Sequence, residues 1–316
     1  MQRVVVLLAC ILGVVTICNC QVPRFEHVFV LVEENQDFSC VIGNPAMKYL
    51  NSLAANYGLA TSYYANSHPS ISNYFVLTAG LPIYKGLTGD LHTDPVNVDN
   101  VIRELRKNNK TWRAYAEGIP APGYTGGNLP EHHYVKRHNP LAYFEKDIPQ
   151  TERNNLAPFS QFASDLAQSG HLANYSFITP DIFHDAHDLM GTNGQDLGKA
   201  KCGDSTALKD ADDWLKNNID ALIQSSTFKQ SGLLVVVFDE SSNDDRSDGA
   251  GHEGGGRVPM IIVSSRAKPG YRSVVLFHHE STLRLTLEAL GVPSSDWPGR
   301  AKDAPAMAEF FLVTGQ

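Results

Sequence analysis

The segment GLLVVVFDE, residues 232–240, constrains the fold of this chain more than any other segment. Its apolar run from Leu233 to Phe238 leaves no polar face, so a strand formed there must be covered on both sides. The segment HVFVLVEEN, residues 27–35, has the same form and also ends in acidic residues. Two such strands predict a mostly parallel sheet with helices on both faces.

The rest of the chain alternates between helical and extended patterns, which predicts an α/β fold. Further strands are predicted over LATSYYA, TWRAYAEG, ANYSFITPD and RVPMIIVSS. Helices are predicted over MKYLNSLAANYG, SISNYFVLTAG, VIRELRKNNK, FSQFASDLAQ, ALKDADDWLKNNIDALIQSS and HESTLRLTLEALG. The polar stretches 81–100 and 118–151 are interpreted as insertions or lids.

The N-terminus has the pattern of a secretory signal peptide. Arg3 precedes an apolar run that is too short for a comfortable membrane span. We expect residues 1–20 to be removed, leaving 21–316 as one domain with no stable membrane span, although an uncleaved anchor is the alternative. The expected location is secreted or extracellular, which in a bacterium means periplasmic or on the cell surface.

Two of the five cysteines, Cys40 and Cys202, remain after such a cleavage. In an exported protein they form either one disulfide or two free thiols, and the sequence leaves both open. The formal net charge of −8 gives no broad basic surface for nucleic acid, so no nucleic-acid partner is expected.

Polar side chains follow the predicted strands at the edge where α/β sheets bind their ligands. Adjacent acids at this edge repel one another unless a cation lies among them, and hard divalent cations prefer oxygen ligands. Histidines would add zinc or iron character to such a site. The residues concerned are Glu33, Glu34, Asn35, Asp185, His187, Asp188, Asp239, Glu240, His278 and His279, with the glycine-rich GHEGGG at 251–256.

Ser70 lies at the predicted start of a helix in SHPSISNYFVLTAG, residues 67–80. A helix N-terminus suits a phosphate, and a serine becomes a competent nucleophile when a metal lowers its pKa. Ser70 beside Glu34, Asn35 and Asp239 is therefore predicted to attack phosphorus and form a phosphoserine. Asn73, one turn on, is predicted to donate its amide to a phosphoryl oxygen.

Taken in order, seven segments resemble the phosphoesterase family of secreted acid phosphatases and phospholipases C, within the alkaline phosphatase superfamily. The likeness is greatest to secreted acid phosphatases of the phosphatidylinositol 3-phosphatase type and covers nearly all of residues 24–295. The segments are VFVLVEENQDFSCVIGNPAMKYLNSLAANYG, HPSISNYFVLTAG, TPDIFHDAHD, ADDWL, VFDESS, RVPMIIVSS and HHESTLRLTLEALGV.

This resemblance implies an alkaline-phosphatase-like fold and assigns roles to single residues. It implies that Glu34 and Asn35, with the later pair Asp239 and Glu240, bind a divalent metal cation. It implies Ser70 as nucleophile and Asn73 as its amide partner. It matches Asp185, His187, Asp188 and His279 to a DxHD segment and a late histidine. Ser72 departs from the motif, which usually has proline there, and the long segment 241–256 leaves His252 and Arg257 unassigned.

The function implied is hydrolysis of phosphomonoesters by a secreted, metal-dependent acid phosphatase, a hydrolase that acts on ester bonds. Its partner would be a small phosphorylated substrate, with phosphoinositides and phospholipid head groups among the candidates. One alternative is a phospholipase C or another phosphodiesterase. Another is a degenerate member that only binds phosphate, although the presence of Ser70 and both acid pairs counts against decay.

His187, Asp188 and His279 have two open interpretations. They complete a second metal site, with the attacking water bound to that metal. Alternatively the histidines are general acids that protonate the leaving oxygen, which predicts an acidic pH optimum. We favour the general acids, because the DAHD spacing offers one histidine rather than a dense cage.

Overall fold

The computed structural model describes residues 21–83, 95–191, 193–243 and 254–312. The predicted signal peptide and His252 lie outside these ranges. Within them, no helix is long and apolar enough to cross a membrane.

An eight-stranded sheet forms the centre of the fold. Its two longest strands, His27–Glu33 and Gly232–Phe238, come from the uniformly apolar runs of the sequence and are buried over almost their whole length. In chain order the strands are β1 (His27–Glu33), β2 (Gly58–Ala60), β3 (Trp112–Ala116), β4 (Leu156–Pro158), β5 (Tyr175–Thr179), β6 (Asp188–Met190), β7 (Asp196–Lys199), β8 (Gly232–Phe238), β9 (Met260–Val263) and β10 (Arg272–Ser273).

The strand order is β10-β2-β9-β8-β1-β5-β3-β4, while β6 and β7 form a separate hairpin. The strands from β8 to β4 are all parallel, and β9 is antiparallel to both of its neighbours. The prediction of a mostly parallel sheet is therefore confirmed. Because β1, β5 and β8 are parallel neighbours, their carboxyl ends open on the same edge.

Helices cover both faces of the sheet, as the alternating pattern predicted. Phe29 of β1 packs against Phe162 and Phe228, and burying each such ring stabilises the fold by roughly 1.5–3 kcal/mol. The helices are α1 (Phe38–Val41), α2 (Lys48–Asn56), α3 (Ser70–Ala79), α4 (Val101–Lys107), α5 (Phe162–Ala167), α6 (Ser205–Gln224), α7 (Ser226–Ser231) and α8 (His279–Leu290). Among these helices, α2 packs against α6, and α8 packs against both α3 and α4.

Part of the polar stretch 118–151 is packed into the core, so its interpretation as a lid is wrong there. The segment forms short 3-10 helices, including Lys136–His138 and Pro140–Tyr143. The rings of Tyr143 and Phe144 lie 5.4 and 6.0 Å from that of Phe75 in α3. The aromatic residues of this stretch hold it against α3, and that contact is absent from local sequence patterning.

A disulfide joins Cys40 in α1 to Cys202, which settles the choice that the sequence left open. The bond spans a sequence separation of 162 residues and ties the segment after β7 to the segment after β1. Constraining so long a loop in the unfolded chain stabilises the folded state, typically by about 2–4 kcal/mol.

Candidate active site

Backbone hydrogen bonds bring the ends of three strands side by side. The amide of Glu34 donates to the carbonyl oxygen of Asp185 at 2.7 Å. The amide of Asp239 donates to the carbonyl oxygen of Glu33 at 2.9 Å. The acidic segments that follow β1, β5 and β8 are therefore neighbours because of strand register.

Ser70 is the first residue of α3, and its hydroxyl lies between two of these carboxylates. Its Oγ is 3.1 Å from Oε2 of Glu34 and 3.1 Å from Oε1 of Glu240. Pro69 occupies the position before the helix, and Ser70 is buried with the other nine residues of α3. The serine therefore does not cap the helix, and its hydroxyl is directed to the acidic cluster instead.

Asn73 holds the loop that leads into α3. Its Oδ1 accepts from the backbone amides of Asn66 and Ser67 at 3.0 and 3.2 Å. Its Nδ2 donates to the carbonyl oxygen of Ser67 at 2.7 Å and lies 3.4 Å from Oε2 of Glu240. The predicted bond from this amide to a phosphoryl oxygen stays a prediction, whereas the structure shows a positioning role.

Gly255 and Gly256, the described glycines at the end of the segment 251–256, contact the same loop. The amide of Ala65 donates to the carbonyl oxygen of Gly256 at 2.9 Å. A Cβ on Gly255 would lie 2.7 Å from the backbone nitrogen of Ser67. The close approach of these backbones explains why glycine stands at position 255.

Asn35, Asp239 and Glu240 form one hydrogen-bonded group next to Ser70. Asn35 donates its backbone amide to Oδ1 of Asp239 at 3.0 Å and its side-chain amide to Oε1 of Glu240 at 2.6 Å. Oε2 of Glu240 accepts from Nδ1 of His68 at 2.7 Å. The structure thus brings together all four residues predicted as metal ligands.

Several buried atoms at this edge have no hydrogen-bonding partner in the described part of the chain: Oδ1 of Asn35, Oδ2 of Asp185, Nδ1 of His187 and Oδ2 of Asp239. Burial, followed by the charges of Glu34 and Glu240, raises the pKa of Asp239. Burial, followed by the charge of Glu34, likewise raises the pKa of Asp185. Oxygen and imidazole atoms left without partners, in a cluster whose acids repel one another, fit a divalent cation.

Two tighter clusters of ligand-type residues occur within the described ranges. One cluster contains Cys40 and Cys202. Their sulfurs form the disulfide and are therefore not available as thiolate ligands. The other joins Glu117, Asp181 and His184, where Nδ1 of His184 lies 3.0 and 3.1 Å from the two carboxylates. The predicted metal ligands Glu34, Asp239 and Glu240 do not form a cluster as tight as these two.

His187 and Asp188 lie at the rim of the site. His187 is buried and lines a cleft of about 520 Å³ that also contacts Asn35. Its Nδ1 is 3.7 Å from Oδ2 of Asp188. Burial, then the charges of Lys199 and Arg137, lowers the pKa of His187 to about 4. The general-acid assignment of His187 stays a prediction.

His279 is held by hydrogen bonds at both ring nitrogens. Its Nε2 donates to the carbonyl oxygen of Asp239 at 2.7 Å, and its Nδ1 accepts from the hydroxyl of Tyr63 at 3.0 Å. The ring is fully buried, and this burial lowers its pKa to about 3. Both nitrogens are engaged, and the bond from Nε2 orients the backbone of Asp239. The general-acid assignment of His279 stays a prediction.

The structure adds His138, which sequence reasoning missed. Its Nε2 lies 3.1 Å from Oε1 of Glu34, without hydrogen-bonding geometry, and its Nδ1 lies 3.7 Å from Oδ2 of Asp185. The ring stacks on that of Tyr74, whose hydroxyl donates to Oε1 of Glu34 at 2.8 Å. His138 lies in the stretch 118–151, which has no helical or strand periodicity, so no sequence pattern pointed to it.

Arg257, which the resemblance left unassigned, has a place in the structure. Its guanidinium lies 3.9 Å from the centre of the Phe38 ring, a cation–π contact. Its carbonyl oxygen accepts from the amide of Phe38 at 3.0 Å. These contacts give Arg257 a structural role at the start of α1.

Comparison with protein families and curated sequences gives matches over most of the chain. The model of the phosphoesterase family matches residues 44–293. The phosphatidylinositol-3-phosphatase of Mycobacterium tuberculosis is 30% identical over 293 residues, 92% of this chain and 84% of that protein. The acid phosphatase of Aspergillus fumigatus is 30% identical over 239 residues, 73% of this chain and 48% of the fungal protein. The chain thus spans about half the length of this fungal relative.

Solved structures share the fold at low sequence identity. A protein of the alkaline phosphatase superfamily from Vibrio parahaemolyticus has a TM-score of 0.59 at 13% identity, covering 90% of this chain and 71% of that one. The phosphonate monoester hydrolase of Agrobacterium radiobacter has a TM-score of 0.55 at 13% identity, covering 90% and 77%. The expected alkaline-phosphatase-like architecture is confirmed.

We expect His138→Ala to weaken binding of a divalent cation at this site by about 10–100-fold, because an imidazole beside Glu34 and Asp185 is lost. Metal content and the activation of the metal-free protein by added Zn²⁺ or Mg²⁺ measure this effect. His132→Ala is the matched control, since His132 is exposed in the same stretch. Unchanged cation affinity in His138→Ala would show that this ring is only a packing residue.

Proposed function

Because this chain belongs to the phosphoesterase family, we propose that it is a secreted, metal-dependent acid phosphatase that hydrolyses phosphomonoesters through a phosphoserine intermediate. The observation that carries the proposal is the hydroxyl of Ser70, held at the start of α3 between Glu34 and Glu240. The relatives named as phosphatases support the choice of reaction.

Ser70 is placed to act as the nucleophile. Its hydroxyl hydrogen bonds to carboxylate oxygens of Glu34 and Glu240, so a proton acceptor is in contact with Oγ. The first-turn amides and the positive end of the α3 dipole lie beside Oγ, where a phosphoryl group would bind. These features raise the nucleophilicity of Oγ and stabilise the negative charge of the group it attacks.

The reaction would proceed in two displacements at phosphorus. In the first, Oγ of Ser70 gives up its proton and forms a bond to phosphorus, while the bond between phosphorus and the alcohol oxygen breaks and that oxygen takes up a proton. In the second, water attacks the phosphoserine, the bond between Oγ and phosphorus breaks, and Oγ regains its proton. The net change is a phosphomonoester and water converted to an alcohol and phosphate.

The residues present fit a divalent cation, which Glu34, Asn35, Asp239 and Glu240 would hold. His138, beside Oε1 of Glu34, and Asp185, beside His138, offer further ligand atoms. A bound cation would lower the pKa of the serine hydroxyl and offset charge on the phosphoryl oxygens. His279 and Asn73 fix the backbones on which the ligands and the serine are mounted.

The disulfide supports secretion, because such bonds persist mainly in oxidising compartments. The apolar segment at the N-terminus supplies the matching signal pattern. The substrate we propose is a small phosphorylated alcohol. The name of the mycobacterial relative puts a phosphoinositide head group first among these.

Assays with p-nitrophenyl phosphate and p-nitrophenyl phosphocholine test the reaction. We expect the monoester to be the better substrate, and Ser70→Ala to lower its turnover by roughly a thousandfold, which corresponds to about 4 kcal/mol. Ser72→Ala is the matched control, because its hydroxyl pairs with Ser67 and does not touch the carboxylates. Near-native turnover in Ser70→Ala would exclude this serine as the nucleophile, and preference for the diester would indicate a phosphodiesterase.

Metal dependence is tested by chelation and by Asp239→Asn. We expect EDTA to abolish activity and added divalent cations to restore it. Asp239→Asn should lower metal content and activity together. The reason is that Oδ2 of Asp239 is a buried oxygen that would bind the metal and has no hydrogen-bonding partner in the described chain. Asp213→Asn, at an exposed position paired with Lys209, serves as control. Full activity in protein free of stoichiometric metal would refute the cation site.

A further inference from the structure

The cleft beside the proposed active site has a basic rim that carries two exposed lysines. Asn35 and His187 line its inner end, next to the carboxylate group around Ser70. Lys199 and Lys201 line one wall, and Asn243 lies on the other. A molecule in this cleft therefore contacts Asn35, a predicted metal ligand, and the side chains of two lysines.

The wall that carries the lysines is fixed in place by covalent and hydrogen bonds. The amide of Ala200 donates to the carbonyl oxygen of His187 at 2.6 Å. Cys202 is bonded to Cys40 of α1, and the amide of Gly203 donates to Oε1 of Gln36 at 2.9 Å. The backbone around Lys199 and Lys201 is thereby held to the segment that supplies Asn35.

Neither lysine forms a hydrogen bond or ion pair through its ammonium group with any residue in the described ranges. Lys199 stands opposite Asp188 in the register of β6 and β7, yet the side chain that lies within 4.0 Å of the Asp188 carboxylate is the ring of His187. Both lysine side chains are exposed. By contrast, the exposed Lys107 and Lys209 are each paired with an aspartate.

Lysines at this position would attract a second anionic group of a substrate, which the carboxylates around Ser70 would repel. The chain carries a formal net charge of −8, and acidic groups concentrate at this edge of the sheet. An alcohol that bears a second anionic group would be repelled by that field unless cations faced it. Exposed ammonium groups on a rigid wall provide charge-assisted hydrogen bonds for such a group.

We propose that Lys199 and Lys201 bind a second phosphate on the alcohol portion of the substrate. This inference rests on the proposed function and narrows its substrate class to phosphomonoesters whose alcohol carries another phosphate group. Both a soluble polyol bisphosphate and a lipid head group with a phosphodiester have this chemistry. The monoester would lie at Ser70, and the second phosphate would lie between the two lysines at the rim.

Three substrates distinguish binding at the two lysines from the hydrolysis reaction at Ser70. They are p-nitrophenyl phosphate, which has no second anion, a soluble inositol bisphosphate, and phosphatidylinositol 3-phosphate in phosphatidylcholine vesicles. The readout is the ratio of kcat/KM for each phosphorylated inositol to kcat/KM for p-nitrophenyl phosphate. Wild type is compared with the double variant Lys199→Ala/Lys201→Ala and with the corresponding double arginine variant.

We expect the alanine variant to lower the ratio for the soluble inositol bisphosphate by about 10–100-fold, chiefly through KM, since it loses hydrogen bonds to a charged group. The arginine variant should retain most of the ratio, because the charge is kept. Lys216→Ala is the matched control, since Lys216 is exposed on α6 and also has no ion-pair partner among the described residues. This control should keep the wild-type ratio.

An unchanged ratio for the soluble bisphosphate in the alanine variant would overturn the proposal. A loss confined to the vesicle arm would also overturn it, and would indicate attraction of the lysines to a membrane surface. If wild type hydrolysed none of the three substrates, the proposed function would fail by itself. Calorimetric titration of the soluble inositol bisphosphate into wild type and the alanine variant would then decide the binding site, with equal affinities counting against it.

Discussion

The mutual repulsion of buried acids at one edge of the sheet is the constraint on which the rest of the structure depends. Glu34 and Asp239 are inaccessible to solvent and Glu240 nearly so, and strand register brings them together. Burying charged groups this close is costly unless hydrogen bonds or a cation compensate. The serine hydroxyl between Glu34 and Glu240 and the unpartnered oxygen of Asp239 show where that compensation is needed.

The fold compensates through elements that are distant in sequence. The loop before α3 is held by Asn73 and by the close approach of Gly255, so Ser70 meets the acids at the helix start. His279, from α8, fixes the carbonyl group of Asp239. The disulfide ties the lysine-bearing wall to α1. Positioning of Ser70, the acids and the basic rim therefore depends on contacts between segments that are distant in sequence.

Sequence patterns predicted the parts of this arrangement that follow from local periodicity. The apolar run 233–238 was predicted as a buried strand with its acidic end at the ligand-binding edge of the sheet, and the strand is confirmed. The start of α3 at Ser70 follows from the helical pattern before Gly80. His138 and the ring orientation of His279 could not be predicted, because each depends on tertiary packing: stacking on Tyr74 for one and hydrogen bonding to Tyr63 for the other.

A nucleophilic Ser70 would form a covalent bond to phosphorus during turnover, and this phosphoserine can be trapped. Enzyme mixed with p-nitrophenyl phosphate would be quenched in acid within the first turnovers, digested and analysed by mass spectrometry. We expect a phosphoryl group on Ser70 in the wild-type protein and none on that peptide in Ser70→Ala. Inversion of configuration at a chiral phosphate, with no phosphorylated serine during full turnover, would contradict it by showing direct attack by water.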